Sequence, residues 1–185
     1  GVAADEIEDP RVYCELIRQW ATLHPEFAFL PRKFKIAVTG ASDDRAAVKF
    51  HDIGIMMHKN DAGEIGFEIM VGGGLGRSPY IAETVREFLP KEHLLSYLEA
   101  VLRVYNQLGR RDNKYKARIK ILLAETGVEE FTRLVEEEWA EIKDGALTVP
   151  AEEVDRINAY FAPPAYENTE QNSELFEARK KTLPG

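Results

Sequence analysis

Ile65-Gly66-Phe67-Glu68-Ile69-Met70-Val71 runs directly into Gly72-Gly73-Gly74-Leu75-Gly76, and this stretch decides the fold. Its first seven residues are β-favouring and read as a strand. Just upstream, Lys59-Asn60-Asp61-Ala62-Gly63 has turn chemistry. Before that turn, Ala47 to Met57 reads as a second strand, with Val48, Phe50 and Asp52 on one face and Lys49, His51 and Ile53 on the other. Two strands joined this closely are expected to form an antiparallel hairpin. Phe34 to Val38 reads as a further short strand, after a break at Leu30-Pro31. At the start, Asp9 and Pro10 supply an N-cap and an N1 proline. Val12, Leu16 and Trp20 then share one face of a helix of about three turns.

Past the glycines the period changes. Leu94, Leu95, Leu98, Val101, Leu102, Tyr105 and Leu108 recur at helical spacing, with Pro90 near the start and Gly109 beyond the end. Lys116 to Ala124 and Val128 to Ile142 read as two helices split at Gly127, and Ala151 to Phe161 as a short one. Pro163-Pro164 and the polar run from Glu167 to Ser173 read as a linker or loosely held tail. Strands followed by helices argue for an α+β class: a small mixed or antiparallel sheet, helices mainly on one face, C-terminal helices and a loose tail.

With 185 residues, 44% hydrophobic and 30% charged, the composition is globular. No apolar run approaches the roughly 20 residues that span a bilayer, and no signal peptide is visible, so no membrane partner is expected. One cysteine, Cys14, excludes an internal disulfide framework and a Cys-only metal site. It points to a reducing, cytoplasmic setting. The net charge of −8 is unevenly spread: −4 over residues 1–30, +5 over 31–120 and −9 over 121–185. An acidic chain with a basic middle suits one anionic ligand better than general DNA coating.

Three clusters could carry chemistry. Lys33 and Lys35 flank Phe34 at a strand entry, so they share one face; they could hold an anion or supply protons, or simply guard an edge strand. The glycine run is neither a Walker A loop, which needs Gly at 71 and Lys at 77, nor a dinucleotide fingerprint, which needs Gly at 77. It signals close backbone approach or a strand-to-helix turn. Residues 110–120 hold six basic groups against Asp112 at an expected helix start, where positive charge opposes the macrodipole unless an anion is present. A solvated basic face is the alternative. His51 and His58, seven apart on one expected strand, would face opposite ways, and no metal motif is present. Cys14 reads as a core residue. No Gly-x-Ser-x-Gly supports a serine hydrolase.

Leu30-Pro31-Arg32-Lys33-Phe34-Lys35, then Gly66 to Leu75, then Lys116-Ala117-Arg118 together resemble the siroheme-dependent nitrite and sulfite reductase family, in order and in approximate spacing. The resemblance covers roughly residues 1–142. It implies an α+β domain that carries siroheme, coupled to a [4Fe–4S] cluster, and a six-electron reduction of sulfite to sulfide or nitrite to ammonia. It implies that Lys33 and Lys35 face the substrate anion. It places Arg32, Gly72, Gly73, Gly74, Lys116 and Arg118 around the siroheme. A ferredoxin or a flavoprotein would supply electrons.

The family's cluster cysteines, its ferredoxin-like half-domains and its substrate arginines have no counterpart in this chain. The resemblance therefore implies an interior segment of a larger reductase. Residues 1–145 would belong to the siroheme domain, and residues 146–185 would connect toward a second half-domain. By itself the chain is expected to hold neither siroheme nor cluster. The rival reading is a non-catalytic anion- or nucleic-acid-binding module built on residues 110–120; under the family reading no nucleic acid is expected.

Overall fold

A computed structural model describes residues 5–165 and 173–182. Helix α1 (Pro10–Ala21) starts as its sequence dictates: Asp9 is extended and its carboxylate accepts from the Arg11 backbone N–H. Val12, Tyr13, Leu16 and Ile17 are buried, and Cys14, two residues from Val12, points the other way and is exposed. Partial shielding and the nearby Asp9 charge push the Cys14 thiol up from its ordinary pKa. The expectation of a core cysteine is corrected.

Arg11 holds the Asp9 carboxyl down, from 3.8 to about 2. A lowered folded-state pKa adds stability above the unfolded value, and that contribution is lost as pH falls. Asp9→Ala is expected to cost about 1 kcal/mol at neutral pH, with the loss shrinking between pH 4 and pH 2. Urea unfolding across that range checks it; an equal loss at both ends would refute the linkage.

After the single turn α2 (Pro25–Ala28) come four strands: β1 (Ile36–Thr39), β2 (Ile53–Lys59), β3 (Ile65–Val71) and β4 (Glu83–Pro90). They form one sheet in sequence order. The expected hairpin is present, with Ile53 opposite Val71 and Lys59 opposite Ile65, antiparallel. β1 pairs parallel to β2, with Ile36 opposite Ile53. The alternation is strict across the hairpin. Ile53, Ile55, Met57, Phe67, Ile69 and Val71 enter the main core, whereas Met56 and Met70 join Val48 and Ala82 on the opposite face.

Two strand expectations are corrected. Residues 48–50 form a 3₁₀ turn, not the start of β2. Asp44 makes that turn by accepting from the backbone N–H groups of Val48 (2.7 Å) and Lys49 (3.3 Å), and Ala47 takes a left-handed conformation (φ 51°). His51 therefore lies outside the strand that carries His58. β4 lies where a loop into a helix is read from the sequence. It is an edge strand of alternating charge, with Val85 and Leu89 its only buried residues. Its residues pair irregularly with β3 around Ile69.

Helix α3 (Leu94–Leu108), preceded by a 3₁₀ turn at Lys91–His93, crosses the centre of the core. Tyr97, Leu98, Val101, Leu102 and Tyr105 are fully buried. Helix α4 (Ile119–Thr126) begins three residues later than expected, and Gly127 (φ 87°) separates it from α5 (Val128–Ile142). Phe131, Val135 and Trp139 of α5 meet α3, and the Trp139 indole N–H donates to Ser96 Oγ (3.0 Å). Helix α6 (Ala151–Phe161) packs against α1 and buries Ile157. Helix α7 (Glu174–Thr182), read from sequence as tail, has no buried residue. Most of the expected linker, residues 167–172, lies outside the described residues. No helix among the described residues is long and apolar enough to cross a membrane.

Candidate functional site

Lys33, Phe34 and Lys35 form the extended segment that feeds β1. Phe34 turns inward and stacks on Tyr105, ring centroids 5.6 Å apart at 28°. The two lysines are left exposed and line one cavity of about 340 Å³ with His51, Leu75 and Arg118. Among the described residues neither ammonium has a carboxylate partner. Burying Phe34 thus aims two unpaired cations the same way.

Gly72, Gly73 and Gly74 lead out of β3 into a loop that returns to β4; the expected strand-to-helix turn is corrected. Gly74 and Tyr80 close the loop by exchanging backbone hydrogen bonds of 3.0 and 2.8 Å. Gly72 has φ 90°. A Cβ on Gly73 would stand 2.4 Å from the Lys49 carbonyl oxygen, and one on Gly74 would stand 2.8 Å from the Arg118 guanidinium. The run is therefore a backbone seat, holding the 48–51 turn on one side and Arg118 on the other.

Arg118 occupies the N-cap position of α4 but makes no cap hydrogen bond. Its guanidinium turns to Asp52, donating to Oδ1 from Nε (3.1 Å) and Nη2 (2.7 Å), while Nη2 lies 3.5 Å from the Gly73 carbonyl. Asp52 is fully buried; its Oδ2 accepts from the Lys35 backbone N–H (2.9 Å), and its carbonyl accepts from Gly72 N–H (3.0 Å). Burial pushes the Asp52 carboxyl up, against the pull of Arg118 and the Lys35 N–H. Tyr105 completes the frame by donating from its hydroxyl to the Ala117 carbonyl (2.6 Å).

On the other side of Arg118 opens a cleft of about 700 Å³, lined by Arg32, Arg77, Lys114, Lys116, Arg118 and Lys120. Leu75 and Arg118 border both spaces. Lys120 is nearly buried and donates to the Ser78 carbonyl (2.5 Å), pinning the glycine loop, with its ammonium 5.5 Å from the Tyr80 ring centroid. Burial, reinforced by Arg118, lowers its pKa. Lys116 lies in an exposed turn, not in a helix. Arg110 pairs with Asp112 (2.7 Å), and Arg111 donates to the Phe29 carbonyl (2.7 Å). Of the six basic groups in 110–120, Arg111, Arg118 and Lys120 are tied to distant parts of the fold, which weakens the reading of a solvated basic face.

Residues 1–143 match the family described as the nitrite and sulphite reductase 4Fe-4S domain. This chain belongs to the siroheme-dependent nitrite and sulfite reductase family. Sulfite reductase (ferredoxin) 1 of Mycolicibacterium paratuberculosis is 32% identical over 152 residues, 81% of this chain and 27% of the relative. The chloroplastic ferredoxin–nitrite reductase of Arabidopsis thaliana is 35% identical over 143 residues, 74% of this chain and 24% of the relative. The solved NirA protein of Mycobacterium tuberculosis superposes with a TM-score of 0.67 at 30% identity, covering 82% of this chain and 27% of its own. The reductase segment therefore spans about a quarter of the length of the relatives it matches.

Three residues at this junction carry no motif signal. Asp52 sits 66 positions from Arg118 and reads in sequence as one more alternating strand residue. Lys120 is indistinguishable from its basic neighbours until its loop carbonyl is seen. His51 lines the lysine cavity because Asp44 curls the preceding turn; its Nδ1 lies 2.9 Å from the Ala47 carbonyl, which can only accept, so Nδ1 is the donor.

Proposed function

We propose that this chain is a segment of a siroheme- and iron–sulfur-dependent reductase of sulfite or nitrite, in which Lys33 and Lys35 face the substrate oxyanion and the adjoining cleft takes siroheme carboxylates. One observation carries the reading: the three separated motif segments meet at Asp52, which binds the Lys35 backbone, the Arg118 side chain and the Gly72 backbone at once. That junction sets an unpaired lysine pair beside a cleft of six cations, which matches a small anion next to a polycarboxylate macrocycle.

The donor set fits siroheme carboxylates: Arg32, Arg77 and Lys116 reach the cleft from separate segments. Bound there, siroheme would supply the redox-active iron for a six-electron reduction of the oxyanion. The lysines neutralise the anion and can pass protons to its oxygens, compact donors suited to a site where charge moves. The cluster is different. Cys14 is exposed on α1, and among the described residues no group of three or more His, Cys, Asp or Glu side chains is placed to hold a metal. Cluster ligands therefore belong, in this reading, to the remainder of the parent chain. A ferredoxin donor, as in the relatives' names, or a flavoprotein completes the electron path, in a cytoplasmic setting.

The cleft has its own test. In the parent reductase, Arg32→Ala with Lys116→Ala removes two exposed cations at little cost to the fold. Each lost charge-assisted contact is worth about 1.5–3 kcal/mol, so siroheme affinity is expected to fall by tenfold or more. Siroheme content is read from the visible spectrum of the purified protein. Full occupancy and unchanged retention on dilution would remove the cleft from the siroheme site.

A further inference from the structure

We infer that Asp52 is a positioning residue for the anion site: its buried carboxylate fixes the Arg118 guanidinium as the wall between the lysine cavity and the basic cleft. The inference rests on the anion-site reading proposed above and adds to it a residue that touches no ligand.

The geometry is specific. Arg118 is one-quarter exposed and borders both spaces, so an untied guanidinium would be free to swing toward either. Two bonds from Nε and Nη2 to Oδ1 prevent that by gripping one edge of the planar group. The other carboxylate oxygen grips the Lys35 backbone, so the lysine segment and the arginine are referred to one rigid point. The guanidinium already lies against the glycine loop: Nη2 is 3.5 Å from the Gly73 carbonyl oxygen, and a Cβ on Gly74 would stand 2.8 Å from it. Placing an acid here is electrostatically adverse for an anion site. It takes one unit of positive charge away and resides in full burial, where its desolvation is costly. A carboxylate that works against the site's charge yet bonds two of its elements is explained by orientation.

That opposition gives the test its sign. The probe is inorganic sulfate, a non-reacting oxyanion, titrated calorimetrically into the 185-residue chain at low ionic strength. Three variants are compared with the unsubstituted chain: Asp52→Asn, Arg118→Lys and the pair together. A charge effect alone predicts tighter binding for Asp52→Asn and no change for Arg118→Lys. Positioning predicts the reverse: each weakens binding about tenfold, and the two losses fail to add because both break the same two-bond linkage between Asp52 and Arg118. Asp52→Asn binding sulfate as tightly as the unsubstituted chain, or tighter, overturns the inference. So do losses that add in full. Arg118→Lys keeps both charges and a paired Asp52, so if Asp52→Asn does not fold, undiminished binding by Arg118→Lys overturns it equally. Absence of sulfate binding by the unsubstituted chain is a distinct result; it removes the anion-site reading and the inference with it.

Discussion

Replacing Lys33 and Lys35 by alanine in the parent reductase is expected to lower turnover by about 10²–10³-fold, while most of the siroheme stays bound. The magnitude is that of removing a preorganised donor from a site where charge develops. Preorganisation is visible here. Phe34 is anchored face-on against Tyr105, and the Lys35 backbone is tied to Asp52, so the two side chains start from fixed points. Neither ammonium is consumed by a carboxylate among the described residues. Two ammonium groups on one face repel each other, so an anion between them relieves both. Siroheme retention is expected to persist because the cleft cations are other side chains, all but Arg32 from outside the lysine segment. Steady-state kinetics with sulfite and with nitrite, normalised to siroheme absorbance, check this. A fall in kcat points to proton delivery, and a rise in KM with kcat intact points to anion binding alone. Wild-type turnover in both single variants would end the assignment of these lysines.

The lysine pair was legible because strand alternation is local: one inward Phe34 puts 33 and 35 outward whatever the rest of the chain does. The hairpin, α5 and α6 were legible for the same reason, each carrying its own period and its own boundary signal, such as Gly127 ahead of α5. Failures have a common cause in side chains that act at a distance. Asp44 curls residues 48–50 and overrides their β-propensity. β4 gains its place from pairing with β3, and an edge strand with two buried residues emits almost no periodic signal. At the site, Arg118 could be singled out as a cation, but not its bond to Asp52, which joins two segments that only the folded sheet brings together. Even Cys14 shows the limit of composition. Cysteine is most often buried, yet its position on α1 relative to Val12 and Leu16 sends it outward.

Gly73→Ala is expected to destabilise the chain by about 3 kcal/mol, near the upper end for overpacking. The backbone angle is not the reason, since Gly73 is not among the positive-φ residues. Crowding is. The new Cβ would stand 2.4 Å from the Lys49 oxygen, 2.6 Å from the His51 oxygen and 2.9 Å from the His51 nitrogen, all of them backbone. Retreat is blocked on that side. Lys49's carbonyl accepts from Ala82 N–H (2.8 Å), and Asp44 holds the turn from below. Movement of Gly73 itself would drag Gly72 from Asp52 and Gly74 from Tyr80. Gly63→Ala is the control: unlike Gly73 it must adopt a positive φ (81°), but nothing lies within 4 Å of its Cβ, so only backbone strain of about 1–2 kcal/mol applies. Urea denaturation separates the two, with the Gly73 variant losing clearly more. A Gly73→Ala chain within 1 kcal/mol of the parent would show that the turn yields where the backbone contacts say it cannot. The same substitution displaces His51 and Asp52, so it is also expected to weaken sulfate binding, linking the packing of one glycine to the placement of the lysines.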